Sequence, residues 1–345
     1  MVLAVDASRL AGRRTGVGRY LEWLLRAWSQ QPVPFEEVRL YGPKPSRPGG
    51  FWWQATELRR RANEASVLFA PYALPPRLRV PAVVANLGLL EGRYADRSPV
   101  ARARSWHAAA SARAATAVVT HSAVTRDDLV EHFGVRREKV VVIPIGVDGL
   151  FRPPREADAA ADREIVAEAL GEDAPFVLCV GKLSPRRHVP ELVEAFTDVA
   201  RADGDLRLLL VGPSGDRAVP ARDGVRHLDH LDQARLAALY RRASAFVLPT
   251  EKEGFSFTIL EALASGCPVL TVEHAALGEG GVREAVATVP SPAPSRLAEG
   301  LTRLLHDDAL RERLTGEGLA VARRFSWEET ARRTMDVLAA VARPA

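Results

Sequence analysis

Two glutamates eight positions apart, Glu253 and Glu261, bracket the segment Glu253-Gly254-Phe255-Ser256-Phe257-Thr258-Ile259-Leu260-Glu261. The segment follows the apolar run AFVLP (245–249) and reads as a helix that begins near Ser256 and ends at Ser265-Gly266. The first backbone N–H groups of such a helix lack intrahelical partners and form a natural seat for a phosphate. Glu253 falls just before that turn, and Glu261 falls about two turns along it. A carboxylate accepts hydrogen bonds from vicinal hydroxyls, so the pair suits a sugar or a ribose. By spacing alone the two also fit a surface loop and a solvated helix face. A second cluster, VGKLSPRRHVPELVEAF (180–196), sets Gly181, Lys182, Arg186 and Arg187 directly after another apolar run. By themselves Arg186 and Arg187 read as a solvated loop pair. In Thr15-Gly16-Val17-Gly18-Arg19-Tyr20, Gly16 and Gly18 allow either close backbone approach to a ligand or a tight turn.

Such residues need strand ends to carry them. Short apolar runs alternate with helical patterns from end to end. The first half offers VLAVDA (2–7), VRLYG (38–42), VLFAPY (67–72), AVVAN (82–86), AVVTHS (117–122) and VVVIPIG (140–146). The second offers FVLCVG (176–181), LRLLLVG (206–212), VRHLD (225–229), AFVLP (245–249) and PVLTVE (268–273). Strands apolar on both faces and separated by helices imply parallel sheets covered on each side. Two series imply two doubly wound α/β domains, and the loops after the strands are where ligands bind in such sheets. The stretch FRPPREADAAADREIVAEALGEDAP (151–175) brings prolines and then a charged, alanine-rich run, as expected of a linker. Thr125-Arg126-Asp127-Asp128 fits a capping box with Thr125 as N-cap.

At 345 residues the chain suits two domains, and 47% hydrophobic with 26% charged residues describes an ordinary globular protein. No apolar run approaches the roughly 18 residues of a membrane span, and the opening MVLAVDASRL reads as a core strand, so a cytoplasmic location is expected. Cys179 and Cys267 lie singly in apolar runs, which fits small core residues and neither a disulfide framework nor a zinc site. Residues 1–150 carry 22 Lys and Arg against 13 Asp and Glu, while the rest carries 25 against 30. A basic first half suits an anionic partner such as a lipid phosphate, a phosphorylated acceptor or the donor itself; an arginine-rich solvated surface is the alternative. No aromatic-and-basic RNA motif or basic dimer helix is present, so no nucleic-acid partner is expected. Phe51-Trp52-Trp53 before ELRRRANEA forms an aromatic-and-basic patch suited to an acceptor groove or peripheral membrane contact, or else to buried aromatics beside a solvated face. Trp23 and Trp28 read as packing residues of the first helix.

Taken in order, these pieces resemble glycosyltransferase family 4, retaining enzymes of the GT-B fold (glycosyl transferases group 1). The paired-glutamate segment resembles the family's signature, and residues 15–20 its first glycine loop. HSAVTRDDLVEHFGVRREKVVVIPIGVDGLFRP (121–153) resembles the end of its first domain, 180–196 the phosphate-binding start of its second, and RRFSWEETARRTMDVL (323–338) its closing helix. The resemblance implies two Rossmann-like domains facing a cleft: an acceptor-side domain at 1–150, a nucleotide-sugar domain at 151–325, and a helix at 326–345 crossing back to the first. It implies transfer of a hexose-type sugar from a GDP- or UDP-linked donor to an unidentified acceptor, anionic or lipid-linked, with retention and with neither metal nor cofactor. Glu253, Arg187 and Lys182 take the catalytic positions. Glu261 takes the ribose, while Gly254, Phe255, Ser256, Phe257, Gly181, Gly16 and Gly18 line the donor. One departure stands out. Many relatives carry a His–Asp pair where this chain has Leu87 and Gly88. That leaves open a second reading, a catalytically inactive sugar-nucleotide-binding or partner protein on the same fold. His107, His121 and Asn86 are then the nearby polar residues to consider, the histidines chiefly as structural ones.

Overall fold

Every strand pairing among the described residues is parallel, because the central strands are apolar on both sides. The computed structural model describes residues 1–10, 16–43, 51–88, 99–214 and 222–343. The chain divides into one unit of Met1–Gly146 with Phe325–Ala345 and another of Val147–Arg324.

The first unit holds β1 (Val2–Asp6), β2 (Glu37–Tyr41), β3 (Val67–Ala70), β4 (Ala82–Ala85), β5 (Ala117–Thr120) and β6 (Val140–Val142), in the spatial order β2-β1-β3-β4-β5-β6. The strands β3, β4 and β5 are wholly buried, whereas the edge strand β2 is half-exposed. The second unit holds β7 (Phe176–Val180), β8 (Arg207–Val211), β9 (Val225–Leu228), β10 (Ala245–Leu248), β11 (Val269–Val272) and β12 (Ala287–Val289). Their order, β12-β11-β10-β7-β8-β9, reverses between β7 and β10. That reversal is the switch point at which open α/β sheets bind ligands.

Eleven of these twelve strands answer to the apolar runs in the sequence. The twelfth, β12, is a three-residue edge strand with an exposed middle residue, too short to show a pattern. One helix start also differs from the sequence expectation. The Ala123–Glu131 helix is capped by Ser122, whose hydroxyl accepts from the Thr125 backbone at 3.0 Å. Thr125 itself is buried in the first turn, so no capping box forms there. Ser122 sits directly at the end of β5 and can turn the chain sooner.

The last helix, Trp327–Val341, packs against the Gly16–Trp28 helix of the same unit. It buries Trp327, Thr330, Ala331, Thr334, Met335 and Leu338. Polar contacts fix its register. The Trp28 indole donates to Ala331 O at 3.0 Å, Thr330 Oγ1 donates to Pro144 O at 2.8 Å, and Arg333 donates to Val142 O at 2.9 Å. The Tyr20 and Trp327 rings meet 5.9 Å apart, and burial pushes the Tyr20 phenol above its ordinary range. Both cysteines are buried and free, and burial pushes the Cys179 thiol up to about 11. No helix among the described residues is long and apolar enough to cross a membrane.

Gly146 is the tightest point of this unit. A Cβ there would overlap the backbone of Ser326 and Trp327, which cannot move without lifting the final helix. Gly146→Ala is therefore expected to cost about 1–3 kcal/mol in urea unfolding. Gly16→Ala, where a Cβ would meet nothing within 4 Å, serves as the unperturbed control.

Candidate functional site

The loops after β7 and β10 meet where the strand order reverses, and they carry the polar groups singled out in the sequence. After β7 the chain turns at Gly181, whose φ of +132° lies outside the range that side chains tolerate. A Cβ there would stand 3.3 Å from the Arg187 guanidinium, so the glycine also leaves Arg187 its place. A short 3-10 turn, Pro185–Arg187, then presents both arginines.

Glu253 is buried and receives both of them: its Oε1 stands 2.9 Å from Arg186 and 3.0 Å from Arg187. Arg186 also donates to Lys252 O at 3.1 Å. The Arg187 side chain is nine-tenths buried, yet its Nε and Nη1 have no hydrogen-bond partner among the described residues. An unpaired buried guanidinium nitrogen is costly, which makes it a ready receptor for an anion. Lys182, by contrast, is exposed, and the cations against Glu253 are Arg186 and Arg187.

The helix beyond the glutamate loop runs Phe257–Ala264 with Ser256 as N-cap, close to the start read from the sequence. The Ser256 hydroxyl accepts from the Ile259 backbone at 3.3 Å and lies 2.9 Å from the Thr258 hydroxyl. Phe255 and Ser256 are buried, while Gly254 and Phe257 are half-buried. Glu261 is buried on the inner face of the same helix and accepts from the Tyr240 hydroxyl at 3.3 Å. Neither glutamate is the solvated surface residue that spacing alone allowed. The structure thus gathers Gly181, Arg186, Arg187 and Glu253 at one point, with the Gly254–Phe257 turn following in the chain.

Gly16 and Gly18 belong to the first unit. They open the Gly16–Trp28 helix after β1, Gly16 exposed and Gly18 buried, with a helical rather than a left-handed backbone. Thr15 lies outside the described residues. Near them a carboxyl not singled out in the sequence, Asp6, ends β1. It accepts from the Ser8 backbone at 2.9 Å and the Gln54 amide at 3.1 Å, and burial pushes it above the usual carboxylate range.

At the end of β4, Asn86 is buried and accepts from Gly88 N at 3.0 Å; Leu87 is half-buried and Gly88 exposed. His121 is buried with Nδ1 3.4 Å from Thr120 Oγ1, and His107 lies 3.1 Å from Leu74 O. Trp52 is 79% exposed, unlike the buried aromatic that its neighbours suggested, and Trp53 packs on the core.

Two further histidines were not visible as site residues in the sequence. His188 follows Arg187 with a left-handed backbone (φ 46°) and reaches Glu191 at 3.3 Å and Glu251 at 3.2 Å, tying the arginine turn to the glutamate loop. His274, just past β11, is nine-tenths buried, and neither ring nitrogen has a partner among the described residues. His274 follows an apolar run closely and His188 follows the arginine pair, which is the only sequence signal they offer. Burial holds the His274 imidazole below its ordinary value of 6.5, with Glu253 and Glu273 opposing and the Arg283 and Arg187 charges assisting.

Two family models match the chain. "Glycosyltransferase Family 4" covers residues 15–149 and "Glycosyl transferases group 1" residues 160–319. Among curated proteins, the chain is 32% identical over 247 residues to a D-inositol 3-phosphate glycosyltransferase of Xylanimonas cellulosilytica, covering 66% of this chain and 57% of that protein. It is 30% identical over 254 residues to the one from Nocardioides, covering 65% and 53%. The chain thus spans just over half the length of these relatives. Among solved structures, Anabaena HepE in complex with UDP-glucose superposes with a TM-score of 0.74 at 17% identity, over 98% of this chain and 99% of that one. Sucrose-phosphate synthase from Thermosynechococcus elongatus does so at 0.70 and 20%, over 97% and 98%. The fold is therefore that of the GT-B proteins, with two Rossmann-like domains.

The depressed His274 imidazole carries a pH consequence. The unfolded chain binds that proton more readily than the folded one, so its contribution to stability is present above about 6.5 and is lost as pH falls toward the folded value. Denaturant unfolding at pH 7.5 and 5.5 should show a smaller loss on acidification for His274→Gln than for the wild type.

Proposed function

The chain belongs to the family 4, group 1 glycosyltransferases, and from that membership we propose that it moves a hexose-type sugar from a UDP- or GDP-linked donor to an acceptor hydroxyl. Transfer proceeds with retention and without a metal. The observation that carries this reading is Arg187: a buried guanidinium, held by Glu253, with two nitrogens unspent at the switch point of a parallel sheet. A departing nucleoside diphosphate gains negative charge as its bond to the sugar breaks, and a preorganised cation stabilises that charge. Arg186 adds a second positive group, Lys182 can approach from the exposed side, and the Ser256-capped turn offers backbone N–H groups to the phosphates.

In this reading Glu261 holds the ribose hydroxyls, with Tyr240 fixing one of its oxygens, and Glu253 faces the sugar. The Gly181 turn and the Gly254–Phe257 backbone line the donor. The sugar C1–O bond to the phosphate breaks while the acceptor oxygen bonds C1 on the same face. The acceptor's proton passes to the leaving phosphate oxygen, so the step balances without a protein base. That route suits the β4 end of this chain, where Leu87 and Gly88 bring no acid or base.

An anionic acceptor, such as an inositol phosphate, is supported by the basic balance of residues 1–150 and by the names of the relatives. A cytoplasmic location belongs to this reading, and the exposed Trp52 supports peripheral contact with a membrane surface. The Leu87–Gly88 departure also favours a second reading, a donor-binding protein without turnover.

A thermal-shift screen of UDP, GDP and their sugar conjugates tests the donor. A ligand at about 100 times its dissociation constant adds roughly 2.7 kcal/mol to stability. Arg187→Ala and Glu261→Ala should each weaken binding of the matching nucleotide about tenfold or more, and unchanged affinity in both would discredit the site. Slow nucleoside-diphosphate release that chelator does not suppress supports transfer; tight binding with no release on any phosphorylated acceptor supports the second reading.

A further inference from the structure

We infer that His274 selects the transferred sugar by hydrogen-bonding one of its hydroxyls beside the N-terminus of the Phe257–Ala264 helix. This deepens the donor reading above and rests on it. His274 lies just beyond β11, the neighbour of β10 in the sheet, so its loop opens on the same side as the glutamate loop. The ring is 9% exposed, and both nitrogens are unpartnered among the described residues. It lines a cavity of about 10 Å³ together with Phe255, Ser256, Ile259, Leu260, Leu277 and Val282.

The chemistry of that cavity is selective. A neutral imidazole has one N–H donor and one acceptor nitrogen, and leaving either unmade in a buried place costs about 1–3 kcal/mol. The side chains of Ile259, Leu260, Leu277 and Val282 offer nothing to satisfy them. The cavity has room for about one oxygen atom, near the lower bound for a water-sized occupant. A hydroxyl, which both donates and accepts, fits that space and that partner. A phosphate does not: it is larger, and burial disfavours a positive charge on the imidazole, while Arg186 and Arg187 carry the positive charge beside Glu253. The division is therefore between cations that hold the diphosphate and a neutral ring that reads the sugar.

Calorimetric titration of UDP, UDP-glucose, GDP and GDP-mannose into wild type, His274→Ala, His274→Gln and Arg187→Ala separates the two claims. His274→Ala should weaken the preferred sugar nucleotide about tenfold and its parent diphosphate less than about twofold. His274→Gln, which keeps a donor and an acceptor, should recover most of the loss, and Arg187→Ala should weaken both ligands together. Equal losses of diphosphate and sugar nucleotide in His274→Ala, or no loss of either, would overturn the inference while leaving the donor site standing. Should the wild type bind none of the four, the donor reading falls and the inference with it. A second measurement covers the case in which His274→Ala does not fold. In the wild type, one member of a monodeoxy series of the bound sugar nucleotide should bind about tenfold more weakly than the parent, and His274→Gln, which keeps a donor and an acceptor, should retain most of that difference. A uniform response across the series contradicts a hydroxyl contact at His274.

Discussion

The pairing of Glu253 with Arg186 and Arg187 is the contact on which the second unit's polar end depends. It joins two loops far apart in sequence, one after β7 and one after β10, at the place where the strand order of that sheet reverses. Removing the carboxylate would leave two guanidinium groups crowded together, and removing an arginine would leave a buried carboxylate under-compensated; breaking either side of such a pair is costly. The pairing is also incomplete by design of its geometry. Glu253 occupies one nitrogen of Arg187 and leaves the other two facing no partner among the described residues. The local rule that buried polar groups are satisfied is broken at the point where a ligand would satisfy it.

The same tension recurs around it. His188 holds a left-handed backbone that its Cβ disfavours, and is kept there by carboxylates on both sides of the ring. His274 sits with two idle nitrogens against apolar walls. Glu261 is buried and accepts from Tyr240, whose ring meets Phe151 and Phe246 edge-on at centroid distances of 5.7 and 5.4 Å. A tyrosine packed between two phenylalanines has little freedom, so its hydroxyl holds the carboxylate oxygen it donates to in one direction.

The first unit is held by a different device. Its last helix comes from the end of the chain and is pinned by hydrogen bonds to strand-end carbonyls at Val142 and Pro144, with Gly146 allowing the backbones to touch. The two units are thus joined at Gly146–Val147 and again at Arg324–Phe325.

Much of this was already legible in the sequence. Apolar runs located eleven strands, because a strand buried on both faces has to be apolar throughout, and the paired glutamates with their helix start were visible as a spaced motif. What the sequence left open was which cations meet Glu253, since Lys182, Arg186 and Arg187 are equally basic on paper; the Pro185–Arg187 turn brings both arginines to it, and Lys182 stays exposed. His188 and His274 were silent for the same reason: one histidine in a loop says nothing until distant strands bring carboxylates or an apolar wall against it. The short β12 was missed because three edge residues carry no period. Local pattern determines elements, since burial acts on each residue in turn. Contacts between residues 66 positions apart are set by strand order, and strand order exists only once the sheet has formed.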